Sequence, residues 1–334
     1  MIPTLNRADL LAATIDRIAN QTISRDHYEV LIIDNGSTDH TRTVLDQKSK
    51  QYANLRSFSQ LKRGAAATRN VGIGSAKGET VLFIDDDILA TPRLIESHLQ
   101  YHGRHTNASI IGAVTTPWAT SKDPFLRYLR DRGIFNPYSI TGGPLDFSYY
   151  HTGNVSTARA LLLESGGFNE EFFIYGMEDI ELGYRLEKLG CRMVHGSEAL
   201  AEHQYSPTYE QFIQRCEQAG YSLGKLIELH PELKCRFVEN GKRTRLLKRF
   251  HVFYRIFTIL SKPASWLVTR WEAQRGTGRV TALVDQHYFW ALRYHFFVGY
   301  RQYNEYGSNG LHMDRLKLAN QRIPDFAIEP RSKV

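Results

Sequence analysis

The sequence predicts an α/β fold in which helices flank a mixed, mostly parallel sheet, with a helical extension at the C-terminal end. Short apolar runs alternate with segments whose apolar residues recur at helical spacing, the pattern of a sheet covered by helices. Polar loops follow several of these runs, as expected where ligands bind at the carboxyl ends of strands. Beyond residue 230 the chain is rich in Arg, Lys and aromatic residues, so we divide it into residues 1–230 and 231–334.

The first part of the chain alternates strands and helices. Residues 1–7 resemble the end of a strand and its following loop, so we expect either a short first strand or a chain that begins upstream of Met1. The next elements are predicted in this order: helix 8–21, strand 28–33, turn 34–39, helix 41–52, strand 55–59, an alanine-rich helix opening at 63–70, strand 79–84, helix 92–102 and strand 108–114.

The part after residue 116 is less regular. Residues 117–150 are rich in aromatic residues, Gly and Pro, and we expect loops and a short helix over the site. The later elements are predicted as an extended segment 152–156, a short helix 160–165, a helix from 178 or 179 to 189 that ends before Gly190, one or two strands over 193–202, helix from 208 onward, two or three amphipathic helices over 234–301, and a polar tail.

Three aspartates, Asp85, Asp86 and Asp87, directly follow the apolar run 79–84. Because alternate side chains of a strand point the same way, Asp85 and Asp87 are expected to face a common ligand. Neighbouring carboxylates repel one another, and a divalent cation relieves that repulsion. Oxygen ligands suit Mg²⁺ or Mn²⁺. Taken alone, the triplet is explained equally well as a solvated acidic turn.

The composition limits the partners and the compartment. A formal net charge of +7 favours anionic partners such as nucleotide diphosphates, acidic glycans and anionic lipids. The three cysteines lack the spacing of a zinc site and are too few for a disulfide framework, so a reducing cytosol is expected. We see neither a signal peptide nor an apolar stretch of about 18 residues, the length of a membrane-spanning helix. These features predict a cytoplasmic protein.

The basic, aromatic residues 234–301 have three interpretations. They pack as helices on the first region, they lie on an anionic membrane surface, or they bind nucleic acid. We favour the first, with a peripheral contact to the cytoplasmic membrane face as a component. We expect no nucleic-acid partner, because no recognised binding module is present.

Eight short motifs occur in order over about residues 1–225. They are Pro3-Thr4-x-Asn6-Arg7, Asp34-Asn35-Gly36-Ser37-x-Asp39, Gly64-x-x-x-x-Arg69-Asn70, Asp85-Asp86-Asp87, Gly153-Asn154, Gly166-Gly167-Phe168, Glu178-Asp179 and His203. With this ordered set the chain resembles the family 2 glycosyltransferases of the GT-A fold. The resemblance implies a Rossmann-like catalytic domain over residues 1–230, a nucleotide-diphosphate sugar as donor, and Mn²⁺ or Mg²⁺ as cofactor.

The resemblance also implies roles for single residues. Asp179 would be the catalytic base, with Glu178 beside it in the catalytic pair. Asp87 would be the direct metal ligand, Asp85 a ligand nearer the ribose, and His203 a residue near the diphosphate or in the metal shell. The nucleotide sugar would be bound by Pro3, Thr4, Arg7, Asp34, Asn35, Arg69, Asp85, Asp86 and Asn154.

Several of these residues also have a structural explanation. Acids at a helix start satisfy free N–H groups, which accounts for Glu178 and Asp179 without catalysis. A lone histidine such as His203 is more often structural than a metal ligand. Arg69 could form a salt bridge across its helix surface, and Asn154 could be a turn residue.

The acidic residues of the motifs are sufficient for the chemistry of sugar transfer. Sugar transfer from a nucleotide diphosphate places charge on the leaving phosphate, which a divalent cation stabilises, and it needs one base near the attacking hydroxyl. The aspartates at 85–87 and Asp179 provide both, and attack opposite the leaving group inverts the anomeric centre. We therefore predict an inverting, metal-dependent glycosyltransferase, with a UDP-sugar as the expected donor and a glycan or lipid-linked acceptor.

Two alternatives remain open. A nucleotidyltransferase of similar fold would carry a Gly-rich, Lys-containing phosphate loop after the first strand, and the loop at residues 3–7 argues against it. A non-catalytic protein that binds nucleotide or glycan would share the binding residues but show no turnover.

Overall fold

The computed structural model describes residues 1–60, 64–116, 121, 123–132, 145–204, 206–239 and 278–307, and the predictions for the other residues lie outside this described part. The helices are α1 (Ala8–Ala19), α2 (Thr41–Gln51), α3 (Ala65–Ser75), α4 (Leu94–Arg104), α5 (Pro124–Asp131), α6 (Arg159–Glu164), α7 (Glu178–Lys188), α8 (Tyr209–Leu229) and α9 (Gly278–Tyr306). The strands are β1 (Ile2–Thr4), β2 (Val30–Asp34), β3 (Leu55–Ser59), β4 (Thr80–Ile84), β5 (Ile88–Ala90), β6 (Ala108–Thr115), β7 (Asn154–Ala158) and β8 (Arg192–His203).

The strands form a mixed sheet. β1, β2 and β3 are parallel neighbours, and the others follow the order β4-β7-β6-β8-β5. The two parts join because the Met1 amine donates to the Leu82 carbonyl oxygen (2.7 Å) and the Ile84 N–H donates to the Met1 carbonyl oxygen (3.1 Å). β6 and β8 are parallel, whereas β4–β7, β6–β7 and β5–β8 are antiparallel. The predicted α/β class is confirmed.

Both faces of the sheet are covered by helices. Leu31 and Phe83 pack in a layer with α3, α6 and α7, whereas Ile32 and Ile84 pack on the other face with α1 and α2. Strands buried on both faces have near-continuous apolar sequences, which is why β2 and β4 are recognisable without alternation. The polar motifs follow the carboxyl ends of these strands.

The acidic triplet lies in a turn directly after β4, so strand alternation does not apply to Asp85 and Asp87. β4 ends at Ile84, and the Ile88 N–H donates to the Asp85 carbonyl oxygen (3.1 Å) as β5 begins. β5 then pairs with β8, with Ile88 opposite His203. The turn directs Asp85 and Asp87 to different partners.

Glycines let α9 pack closely against α8. A Cβ atom at Gly220 would lie 1.8 Å from the Phe296 carbonyl oxygen, and one at Gly299 would lie 1.8 Å from that of Glu217. Tyr288 of α9 joins an aromatic cluster with α5 and α8. The described part of the extension therefore packs on the rest of the chain. Among the described helices, α9 included, none combines the length and apolarity needed to cross a bilayer.

The Gly299→Ala substitution should destabilise the protein, because its methyl group meets the Glu217 carbonyl oxygen. Overpacking of this kind costs about 1–3 kcal/mol, so thermal unfolding should occur at a lower temperature. Gly103→Ala is the matched control, since Gly103 lies in α4 and an added Cβ there meets nothing within 4 Å. Ala is favoured over Gly in helices by about 0.5–1 kcal/mol, so the control should be at least as stable as the wild type. Equal losses in both variants would contradict the packing argument.

Candidate active site

The loops after β1 and β2 are tied together at the carboxyl edge of the sheet. Asn6 adopts a left-handed backbone (φ 52°), and its side-chain oxygen accepts the Thr38 N–H (2.7 Å). The Asn6 N–H donates to the Ser37 hydroxyl (2.9 Å), and the Asp34 carboxylate accepts the Ser37 N–H (2.9 Å). These bonds fix both loops as one rim of the site.

Four predicted donor-binding residues meet at this rim. Thr4 pairs with Asp34 and Pro3 with Ile33 in the β1–β2 register. The Asn35 N–H donates to the Thr4 carbonyl oxygen (2.9 Å). Thr4 and Asp34 are buried, whereas Asn35 is half-buried. The structure therefore brings Pro3, Thr4, Asp34 and Asn35 together.

Asp86 supports this rim from inside the protein. It accepts the Thr4 hydroxyl (2.8 Å) and Arg7 Nη1 (3.0 Å), and its carbonyl oxygen accepts the Thr14 hydroxyl (2.9 Å). Burial raises the pKa of Asp86 to about 7, although Arg7 opposes the shift. This supporting role differs from the predicted donor contact. Arg7 Nη1 also donates to Asp87 (2.8 Å), so it bridges two acids.

Asp87 and His203, both predicted metal ligands, lie close together. Asp87 Oδ1 lies 3.3 Å from His203 Nε2. Burial opposes the charge of Asp87, but His203 and Arg7 outweigh burial and hold the pKa of this carboxyl well below its usual range. Among the described residues, we find no group of three or more His, Cys, Asp or Glu side chains around one metal position. Asp85, predicted as a further ligand, is therefore not gathered with this pair.

Arg69 connects the aspartate turn to a second acidic pair. Its side chain is 6% exposed and donates to Asp85 (3.1 Å) and Glu178 (3.2 Å). The guanidinium also lies 5.6 Å from the Phe168 ring centroid, and Asn70 fixes Phe168 through two hydrogen bonds to its backbone (2.8 Å each). Burial opposes the charge of Arg69, but Asp85 and Glu178 raise its pKa. Arg69 is thus a buried cation between two acids.

Glu178 and Asp179 begin α7, and their environments push their pKa values apart. Burial and the Asp179 charge raise the pKa of Glu178 to about 7, and its buried Oε2 has no hydrogen-bond partner among the described residues. Burial also opposes the charge of Asp179, but His151 and Arg69 lower its pKa. Asp179 is therefore ionised at neutral pH, the state that a general base requires. Neighbouring acids with separated pKa values indicate an acid–base site.

Two residues of the site are absent from the sequence-based prediction. His151 Nδ1 lies 3.4 Å from Asp179 Oδ2, and its only sequence signal is a position two residues before Gly153. Tyr175 is 42% exposed, and the Arg215 guanidinium lies over its ring, 5.1 Å from the ring centroid. Partial removal from water raises the pKa of Tyr175 to about 12; the Arg215 charge opposes this shift and the Asp179 charge adds to it. The side chain thus lies within electrostatic range of the acidic pair.

Asn154 lies inside the sheet. Its amide nitrogen donates to the carbonyl oxygens of Ala113 (3.1 Å) and Ala199 (2.9 Å), and its Oδ1 lies 2.9 Å from His98 Nε2. It lies beside Gly112, where β6 and β8 shift register, and a Cβ added to Gly112 would lie 2.2 Å from the Asn154 side-chain nitrogen. These contacts give Asn154 a structural role, and its contact with the donor stays a prediction.

Two family models and several curated proteins are similar to this chain. A family model described as Glycosyl transferase family 2 matches residues 1–161, and one described as N-terminal domain of galactosyltransferase matches residues 137–211. Chondroitin synthase from Escherichia coli is 30% identical over 63% of this chain and 35% of its own length. Validoxylamine A glucosyltransferase from Streptomyces hygroscopicus subsp. jinggangensis is 30% identical over 70% of this chain and 61% of its own length. The chain thus spans less than two thirds of either relative.

Solved structures share the fold. A mannosyltransferase from Pyrobaculum calidifontis, in complex with GDP-Man and Mn²⁺, aligns with a TM-score of 0.55 at 18% identity, over 89% of this chain and 86% of that chain. GalNAc-T7 with UDP, GalNAc and Mn²⁺ aligns with a TM-score of 0.50 at 15% identity, over 71% of this chain and 55% of that chain. At such identities the likeness establishes the fold alone.

Proposed function

The chain belongs to family 2 of the glycosyltransferases, and on that premise we propose that it transfers a sugar from a nucleotide diphosphate to an acceptor hydroxyl. One observation carries the proposal: Arg69 links the aspartate turn at 85–87 to the Glu178–Asp179 pair. Sugar transfer needs two such groups, because one must stabilise the leaving phosphate and the other must accept the hydroxyl proton.

Asp179 is the base in this proposal, and the transfer is inverting. As the acceptor oxygen bonds to the anomeric carbon, its proton passes to the Asp179 carboxylate. The bond to the diphosphate breaks with its electron pair on the phosphate oxygen. Attack opposite the diphosphate inverts the anomeric centre. Glu178, with a pKa of about 7 and an unbonded Oε2 among the described residues, is suited to hydrogen-bond a sugar hydroxyl.

Mn²⁺ or Mg²⁺ is the proposed cofactor, held by Asp87 and His203. The residues fit because Mg²⁺ usually takes one or two carboxylates and completes its shell with substrate phosphates and water. Asp85, 38% exposed beside Arg69, is proposed to face the ribose. The bound cation would stabilise the negative charge on the leaving diphosphate.

A UDP-sugar is the proposed donor. Asp34 and Asn35, with Pro3 and Thr4, lie at the carboxyl edge where nucleotides bind in such sheets. Arg7, whose side chain is 30% exposed, supplies positive charge beside the proposed metal position.

A glycan or a lipid-linked glycan is the proposed acceptor. Tyr175 offers an exposed aromatic face beside Asp179. Residues 1–230 form the proposed catalytic domain and residues 231–334 its helical extension. We place the protein in the cytoplasm, with a peripheral membrane contact through 234–301 as the route to lipid-linked acceptors; nucleic acid is not a proposed partner.

A donor panel tests the function. Incubation with nucleotide sugars should release a nucleoside diphosphate, UDP in the expected case, only with Mn²⁺ or Mg²⁺ and faster with a glycan acceptor. Pyrophosphate release from a nucleoside triphosphate and a sugar phosphate would instead identify a nucleotidyltransferase. Nucleotide binding without any turnover would identify a non-catalytic binding protein.

A further inference from the structure

We propose that His151 is a positioning residue for the base: its ring contacts and orients the Asp179 carboxylate. The inference rests on the proposed function, since it concerns the base of that reaction. His151 lies in the loop before β7, whereas Asp179 lies at the start of α7. The contact therefore joins two separate parts of the site.

The Asp179 carboxylate is held at both oxygens. Oδ1 accepts the Ile180 N–H (2.8 Å), and Oδ2 lies 3.4 Å from His151 Nδ1. An ionised carboxylate offers about four lone-pair sites, so an acceptor hydroxyl can still approach one that is held in this way. Fixing the carboxylate at two points directs its remaining lone pairs, which favours a productive geometry of attack.

The two side chains differ in their access to solvent. The His151 side chain is 63% exposed, whereas that of Asp179 is 16% exposed. The histidine can therefore exchange protons with water directly, and it lies between the Asp179 carboxylate and the solvent.

Charged and titratable groups reach Asp179 from several elements. They are His151 before β7, Arg69 of α3, Glu178 of α7, Tyr175 before α7, and Asp85 behind Arg69. Partial removal from water opposes a charge on His151, but Asp179 and then Glu178 outweigh this effect and raise the pKa of His151. Burial likewise opposes the charge of Asp179, and His151, ahead of Arg69, lowers the pKa of that carboxyl. The pair therefore favours a charged histidine and a charged carboxylate.

Removal of His151 should shift the pKa of Asp179 in one direction. Without the imidazolium, burial and the neighbouring Glu178 are opposed by Arg69 and the Ile180 N–H but no longer by His151, so the pKa of Asp179 rises. The base then takes up a proton at a higher pH. Transfer activity is therefore lost earlier as the pH falls.

His151→Gln and His151→Lys separate the geometry of the pair from its charge. In pH profiles of kcat, His151→Gln should lose activity at a higher pH than the wild type, and His151→Lys should recover part of the wild-type profile. Near neutrality the kcat of His151→Gln should fall by about ten- to a hundredfold through lost orientation, with the donor KM unchanged. Identical acid limbs in the wild type and His151→Gln would overturn the proposal.

His40→Gln is the matched control. His40 Nε2 lies 3.1 Å from Asp9 Oδ1, and both side chains are exposed. This variant removes a histidine–aspartate contact away from the acidic groups of the site, so its pH profile should match that of the wild type. An acid limb shifted as far as in His151→Gln would contradict the proposal.

NMR titration of the His151 ring tests the pair without turnover. The pKa should lie above the ordinary value of 6.5 and fall in Asp179→Asn. If the wild type transfers no sugar while His151 titrates in this way, the proposed function fails and the pairing stands. An ordinary pKa that Asp179→Asn leaves unchanged overturns the pairing, whatever the turnover.

Discussion

Asp179→Asn should lower the rate of sugar transfer by about two to four orders of magnitude while leaving donor binding intact. The amide cannot accept the acceptor proton, but its oxygen can still accept the Ile180 N–H that Asp179 accepts at 2.8 Å. The fold and the metal position at Asp87 are therefore expected to persist. The measurements are initial rates of nucleoside diphosphate release with acceptor, and the donor Kd by calorimetry.

The control for this substitution is Asp9→Asn. Asp9 lies in the first turn of α1, is 87% exposed and contacts His40, so it repeats the helix position and the histidine contact of Asp179. Its rate should equal that of the wild type. If Asp179→Asn also transfers at the wild-type rate, the acids of α7 serve as helix-terminal charges and catalysis lies elsewhere.

The choice of base between the two acids depends on packing that the sequence does not contain. Both Glu178 and Asp179 stand at a helix start, where either could act as a base or as a cap. Burial leaves the Glu178 pKa at about 7, whereas His151 and Arg69 lower that of Asp179. At neutral pH Asp179 is ionised whereas Glu178 is about half protonated, so the structure gives different charges to two residues that a motif treats as one.

The strands of the first region are predictable because a sheet buried on both faces requires apolar runs. The path of the chain after β4 is not, because it depends on the distant pairing of β5 with β8. Strand alternation therefore fails for Asp85 and Asp87, which lie in a turn. The contacts of Asn154 are not predictable for a similar reason: its partners include Ala199, which lies among the residues of β8 that are left unpaired where β6 and β8 shift register.

The meeting of the polar loops is predictable, because the carboxyl ends of parallel strands share one edge. That rule places Thr4 and Asp34 together, as observed. It does not specify which groups touch within the site. The His151–Asp179 contact and the Arg69–Glu178 ion pair both depend on how α7 is placed beside the sheet.

Asp87→Asn should abolish the gain in thermal stability that UDP gives in the presence of Mn²⁺. Asparagine keeps the size of the side chain and can accept the hydrogen bond from Arg7, but it lacks the negative charge that a divalent cation prefers. A ligand present at 100 times its Kd stabilises a protein by about 2.7 kcal/mol, and this increment should disappear. Thermal unfolding with UDP, with and without Mn²⁺, measures it directly.

Asp86→Asn is the matched control, because Asp86 contacts the same Arg7 but is turned toward Thr4 inside the protein. It should lower the unfolding temperature yet keep the response to Mn²⁺. An equal loss of that response in both variants would assign metal binding to the charge of the whole turn instead of Asp87. Asp179→Asn should bind donor without transferring it, whereas Asp87→Asn should lose the metal-dependent binding. The roles proposed for Asp179 and Asp87 can therefore be tested, and overturned, independently of each other.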